Sequence, residues 1–382
     1  MIRTPWLGLS IALTPLISQQ GDGCQPSTIR DADIQFAVGA VVSSDGTLFT
    51  AGLIGVDVTN PAVALSGDCS DVIHENFQPV PGAPAMLQVE AGYTHMVALD
   101  ESGGVWAWGY ENYTGQLGTT TVSSSCTLLK VERLVDIVSI KAGKDHTLAL
   151  DSSGRVYAWG SNSVGQLGTG SMNMSAAVLQ VPIPTKVTHI GAGAEHNLAL
   201  DDQGVVWSWG SNHYGASGLP GAVSAPTALT LPQIQSIEVG GYHNIVVSTN
   251  GYVYGWGSNY EGELGNGTLG TSVTAPARQA QLDMFKVFAA GYSHTLALDE
   301  SGVMYAWGNN GEGQLGLGVK GVDVPSPTPV STSQTHSALF AGWWASMSAE
   351  SDGVLWGWGR NTVGGLGTGD TVNPLVPVLV YY

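Results

Sequence analysis

A chain of 382 residues with 53 Gly, only 11% charged residues and a formal charge of -18 is rich in turns and poor in the salt-bridged faces of surface helices. Its 12 Lys and Arg against 30 Asp and Glu disfavour nucleic acid, whose binding rests on basic side chains displacing counterions. The cysteines Cys24, Cys69 and Cys126 make no metal-type cluster, so no metal and no other cofactor is expected.

Residues 1–23 read as a secretory leader, because Arg3 precedes the apolar run Pro5 to Ile17, which is too short to span a bilayer. A secreted or cell-surface protein without a membrane span is the expectation, with a cytoplasmic one as the alternative. A lipid on Cys24 is disfavoured by Gly21, which sits where a lipoprotein signal usually carries Leu. Residues 24–30 form a linker, and from 31 to 382 one unit is written seven times, with motifs near 34–52, 91–118, 142–168, 192–218, 239–265, 290–316 and 341–367. The first copy is worn, and a long Pro-rich connection from Leu53 to Pro84 follows it. Gly52, Gly109, Gly160, Gly210, Gly257, Gly308 and Gly359 close the motifs at intervals of 47 to 57 residues.

Each period holds an apolar run, a run such as His294 to Leu298, an Asp-x-x-Gly turn, a run such as Val303 to Trp307, a Gly-rich loop and a Pro-bounded run. That is four short strands. Residues two apart share a strand face, which pairs Trp106 with Trp108 and Trp207 with Trp209. One such sheet cannot bury both faces, whereas sheets set radially and closed into a ring can. The expected fold is all-β: a single seven-bladed β-propeller of four-stranded antiparallel blades. Pro374 to Tyr382 aligns with the outer strand, and its blade is left open. Cys69 and Cys126 each lie 17 residues after a closing glycine, which suggests a disulfide between them, with Cys24 to Cys69 as the alternative.

His95, His146, His196, His243 and His294 recur once per blade, too far apart to share one ion, and are read as ties from a strand to a neighbouring backbone group. Trp108, Trp159, Trp209, Trp256, Trp307 and Trp358 are read as framework. Turns such as Asp100 to Gly103 lack the spaced carboxylates of a Ca²⁺ loop and read as hairpins, gathering acids on one end of the ring. The GQLG loops lack the Lys-Ser/Thr of a phosphate cradle, and no catalytic constellation stands out.

The loop before each His and the loop after each Trp-Gly must emerge on the opposite end. There Tyr93, Tyr110, Tyr113, His213, Tyr214, Tyr242, Tyr260, Tyr292, Trp343 and Trp344 depart from the repeat. Tyr and Trp dominate interface hot spots, so this end is the expected binding face for a protein. Carbohydrate, bound or processed, is the alternative, and a carboxylate pair converging in the channel mouth would favour it.

The phrase AGxxHTLAL, then Asp-x-x-Gly, VYAWG and GQLG, in seven copies over Asp31 to Tyr382, strongly resembles the regulator of chromosome condensation repeat. The resemblance implies the seven-bladed propeller and a protein-interaction role. Family members include an exchange factor for a small GTPase, which the acidic charge disfavours. They also include an ultraviolet-B photoreceptor, whose Trp-Arg pairs read here Tyr93-Thr94, Lys144-Asp145, Ala194-Glu195, Gly241-Tyr242, Tyr292-Ser293 and Trp343-Trp344. A secreted bacterial enzyme inhibitor is nearest in expected setting, which makes a bacterial-type exported member, non-catalytic and protein-binding, the reading carried forward.

Overall fold

The computed structural model describes residues 28–34, 38–53, 73–109 and 111–382. Seven four-stranded sheets follow one another along the chain, each built from four consecutive antiparallel strands, and they form the blades of a closed propeller. Blade and sequence repeat coincide. The inner strands are Ile29–Ile34, Met86–Ala91, Ile137–Ala142, Val187–Ala192, Ile234–Val239, Phe285–Ala290 and His336–Ala341. Two boundaries need correction: the first strand starts at Ile29, inside the expected linker, and Ile73–Pro79, inside the Pro-rich connection, is the outer strand of blade one. The tail completes blade seven, with Val378–Leu379 paired to Gly357 and Trp356.

Five of the seven blade junctions are held by a relay that uses the repeated letters, while between blades one and two Val38 and Met96 take the places of histidine and acceptor. His146 Nε2 lies 2.7 Å from Asn197 Oδ1 of the next blade, and His294 Nε2 lies 2.8 Å from Ser346 Oγ. The same contact joins His95 to Thr147, His196 to Asn244 and His243 to Thr295. The next step reaches a backbone carbonyl of the Gly-rich loop: Thr295 donates to Glu263 O at 2.9 Å, Ser346 to Gln314 O at 2.8 Å and Asn197 to Gln166 O at 2.8 Å. The same carbonyls accept the indole N–H of Trp307, Trp358 and Trp209. The histidine therefore ties to a side chain, and the backbone group lies one bond further on, which corrects the expected direct tie.

Where the amide NH₂ or hydroxyl is spent on that carbonyl, at Asn197, Asn244, Thr295 and Ser346, its oxygen must accept from the imidazole, which fixes the Nε2–H tautomer of His146, His196, His243 and His294. Nδ1 of each of the five histidines has no hydrogen-bond partner and packs on the glycine three residues before it; a Cβ on Gly193 would stand 2.3 Å from His196 Cε1. Burial drives His146 and His196 down to about 4 and His95, His243 and His294 down to about 3, so all five stay neutral at physiological pH.

The sign of the pH effect follows. A histidine at about 4 in the fold and about 6.5 unfolded leaves stability intact above pH 6.5 and removes it as pH falls toward 4, about 2 kcal/mol each by pH 5. Acids on the inner strands act in the opposite sense. Burial raises Asp31 and Glu238 to about 7, so the fold takes up their protons and gains stability as pH falls from 7 toward the unfolded carboxylate range. A His196→Gln variant isolates one histidine: its urea-unfolding deficit against the parent is expected to shrink by about 2 kcal/mol between pH 7.5 and pH 5. A constant deficit would contradict the buried neutral imidazole.

The ring closes without this relay. At the seam between blades seven and one, Ala345 stands for the histidine, Gly39 for its acceptor, Ala51 for the tryptophan and Gly365 for the glutamine. Gly365 O presses on Gly39, where a Cβ would be 2.1 Å away. Phe77, from the outer strand of blade one, lies over Gly367 as each framework Trp from Trp159 onward lies over its own loop glycine. It packs with Met347, Leu355 and Leu366 of blade seven. Tyr382 finishes the closure, edge-on to Phe49 of blade one at 6.0 Å.

Cys126 is disulfide-bonded; Cys24 and Cys69 lie outside the described residues, as do residues 1–23.

Candidate functional site

The strand order puts the loop after each inner strand and the loop after each Trp-Gly on one end of the ring, and the Asp-x-x-Gly hairpins on the other. The acidic end is less charged toward solvent than expected. Burial pushes the Asp100 carboxyl up, but Ser102, the Trp106 indole and two backbone N–H groups together hold it low. Asp201 is held the same way, with the Trp207 indole at 3.0 Å. These aspartates and the outer Trp of the pair are hairpin staples, while Glu101, Asp202, Glu300 and Asp352 remain exposed.

On the other end the aromatic residues meet. Tyr93 of blade two lies 4.7 Å from Trp343 of blade seven, and Trp343 stacks on Tyr292 of blade six at 4.2 Å. Tyr292 contacts Tyr242 of blade five, Tyr242 contacts Tyr214 of blade four, and Tyr214 contacts Tyr260 of blade five. His213 stacks on Tyr214 at 4.0 Å, and Trp344 stands edge-on to Trp343. The run crosses the mouth of the channel and still faces water, with Tyr93 40%, Tyr214 37% and Tyr260 49% exposed. Tyr113, 76% exposed, stands outside this run, and Tyr110 lies outside the described residues.

Cations from neighbouring loops join the face. Arg360 lies 5.1 Å above the Trp344 ring and Lys144 lies 5.6 Å above Tyr93. A Trp-Arg contact therefore forms from two separate loops of blade seven, where adjacent sequence positions offer none. Below the mouth, the inner strands carry a polar cluster. Asp31 and Asp33 accept the backbone N–H of Val89 and Ala91, both at 2.9 Å. Burial works against the Lys141 ammonium, and Glu90 at 2.5 Å more than offsets it. Among the described residues no His, Cys, Asp or Glu group has metal-ligand geometry.

Two sets of residues escaped the sequence reading. Asn162, Asn259, Asn310 and Asn361 each accept the N–H of the loop leucine five residues on and donate to loop carbonyls; their constant spacing was the available signal. Glu263 is the second case. It replaces the glutamine of Gln116, Gln166 and Gln314 and places a buried carboxyl under the aromatic face. Comparing GELG with GQLG would have found it.

Residues 37–339 match the RCC1-like domain, and residues 352–381 match the regulator of chromosome condensation (RCC1) repeat. The chain belongs to the RCC1-like domain family. It is 32% identical over 310 residues to the ultraviolet-B receptor UVR8 of Arabidopsis thaliana, covering 78% of this chain and 58% of the receptor. Over 84 residues it is 40% identical to the regulator of chromosome condensation of Mus musculus, which is 22% of this chain and 20% of that protein. The chain thus spans well under two thirds of either relative. In fold it is similar to Prp20p of Saccharomyces cerevisiae, with a TM-score of 0.75 at 24% identity, covering 84% of this chain and 83% of that one. These RCC1-like relatives are eukaryotic and give no support to a bacterial-type member.

Proposed function

We propose that this RCC1-like propeller is a non-catalytic scaffold that binds a protein through its aromatic loop face. The observation that carries the reading is the continuous run from Tyr93 through Trp343, Tyr292 and Tyr242 to Tyr214, drawn from five blades onto one exposed surface. Rigid aromatic rings give large contact area at little cost in side-chain entropy, and packed against one another they are already ordered before a partner arrives. A propeller of similar fold, Prp20p, is described as binding Gsp1p and histones. The setting we propose is outside the cell, supported by the leader-like residues 1–23 alone.

One observation favours the carbohydrate alternative: Glu261 and Glu263 line one cavity on this face. Against a catalytic role, both oxygens of Glu263 are already engaged, one accepting from Ser258 Oγ at 2.6 Å and the other from the Glu261 N–H at 2.9 Å.

The test is affinity for a protein captured from culture supernatant or cell-surface extract. A Trp343→Ala, Trp344→Ala double variant is expected to weaken binding about 30-fold or more, the effect of losing one hot spot. Its thermal midpoint should move far less than that of a framework Trp variant, because both rings lie only half-buried. Full affinity in a folded double variant would remove the assignment.

A further inference from the structure

Between blades four, five and six the loop face holds a cavity of about 370 Å³ whose lining includes Tyr214, Tyr242, Tyr260, Tyr292, Glu261 and Glu263. The rings are walls rather than a platform: Tyr214 meets Tyr242 at 84° and Tyr260 at 64°, and Tyr242 meets Tyr292 at 76°. Faces and edges of tyrosines set at such angles enclose a volume, whereas a sugar ring stacks on a flat exposed face.

The local chain is shaped for this. In blades two, three and six the glutamine side chain accepts the N–H of the residue two before it, as Gln166 does from Val164 at 3.0 Å. Blade four has Ala216 at that place, so the N–H of Tyr214 has no such acceptor, and Tyr214 turns into the left-handed region at φ 57. A bulky residue there is unusual and marks strain held by its surroundings, here His213 stacked on one side and Tyr242 and Tyr260 edge-on. Blade five makes the complementary change, with Glu263 for glutamine.

The electrostatics are one-sided. No lysine or arginine lines the cavity. Glu263 accepts from Ser258 Oγ and the Glu261 N–H, Glu261 accepts from Asn309 Nδ2 at 2.8 Å, and His213, stacked on Tyr214, is the one imidazole in the lining. Burial and then Glu195 push the Tyr242 hydroxyl up, so a third carboxylate bears on the same rings. Uncompensated carboxylates behind tyrosine faces stabilise a cation, because the ring quadrupole and the fixed charges act in the same direction.

We propose that this cavity binds the ammonium head of a lysine side chain, bare or methylated, presented by the protein that the loop face engages. The partner in this statement rests on the protein-binding reading; the ligand chemistry rests on the cavity alone. Tyr242 and Tyr292 are its half-buried rings, Tyr214 and Tyr260 its exposed ones, and Glu261 with Glu263 supplies the countercharge. A neutral sugar would leave that charge unanswered, and an anion would be repelled by it.

The test titrates the full chain with Nα-acetyl-lysine methylamide, its Nε-trimethyl form, the norleucine counterpart that lacks only the terminal ammonium, and choline, followed by tyrosine fluorescence and by proton NMR of the ligands. Both lysine forms are expected to bind saturably, with norleucine roughly tenfold weaker for want of the cation. Glu263→Gln, which installs the residue found in blades two, three and six, should weaken the lysine forms roughly tenfold and leave the thermal midpoint in place. Glu261→Gln should act in the same direction. Norleucine binding as well as lysine, or indifference to Glu263→Gln, would overturn the proposal. Choline binding more tightly than both lysine forms would overturn the side-chain assignment in favour of a free small cation. These small probes reach only the cavity, so their failure is separate from retention of a captured partner by the Trp343, Trp344 double variant.

Discussion

Replacing Trp256 by Ala is expected to destabilise the propeller by about 3–5 kcal/mol, the range for a large aromatic removed from a packed core. The indole is fully buried in the interface of blades four and five, among Leu198, Leu200 and Val206 of the one and Ile234 and Val246 of the other. Its N–H donates to Ala216 O at 3.1 Å, and a Cβ on Gly218 would come within 2.8 Å of Nε1. The ring therefore lies directly against backbone that cannot follow it inward, and the cavity will stay open. With about 2.1 cal/mol/K of unfolding entropy per residue, a chain of this length should lose roughly 4–6 °C in its midpoint. Trp256→Phe should recover most of the loss, since it keeps much of the apolar area and forfeits the hydrogen bond, worth about 1 kcal/mol. Calorimetry of the two variants decides the matter, and an unmoved midpoint for the alanine variant would contradict the packing.

A comparable loss, about 3–5 kcal/mol, is expected for Phe77→Ala, with a different spatial signature. Phe77 fills at the seam the place that a framework tryptophan fills between other blades, and there the histidine relay is absent. Deleting the ring opens a cavity among Met347, Leu355 and Leu366 and leaves the closure resting on the Tyr382 to Phe49 contact and on single bonds such as Gly369 N–H to Glu75 O at 2.9 Å. Opening should begin there. Hydrogen exchange is expected to speed up first in Ile29–Ile34 and Ala345–Glu350, the blade-one and blade-seven strands flanking the seam, while His196–Asp201 in blade four keeps its protection. Uniform loss across all blades would show that the seam is no weaker than the rest.

The framework was legible because its causes are local or repeat with the period. The alternation of Trp106 and Trp108, the hairpin glycines and the seven closing glycines each depend on a few neighbouring residues. The histidines were legible as structural but not in their partners, since Asn197 or Ser346 becomes the acceptor only when one blade is set against the next. Phe77 was hidden in a stretch that lacks the repeated letters. The aromatic face was legible as a list of departures from the repeat, and Tyr113 shows the limit of such a list. It departs from the repeat as Tyr214 does, yet it stays outside the packed run because no neighbouring loop brings a ring to it.

The number of blades, the hairpin pattern of the six clear copies, the end on which their loops emerge and the framework tryptophans of the core were all written in the chain. These follow from periods of two residues and of about fifty, which the chain states directly. Packing of blade against blade is what brings Tyr93 to Trp343 across 250 positions, closes the ring on Phe77, and gathers Glu261, Glu263 and four tyrosines around one cavity. Those contacts join loops whose conformations are set by single exceptions such as Ala216, and whose neighbours exist only once a twisted set of sheets has closed on itself.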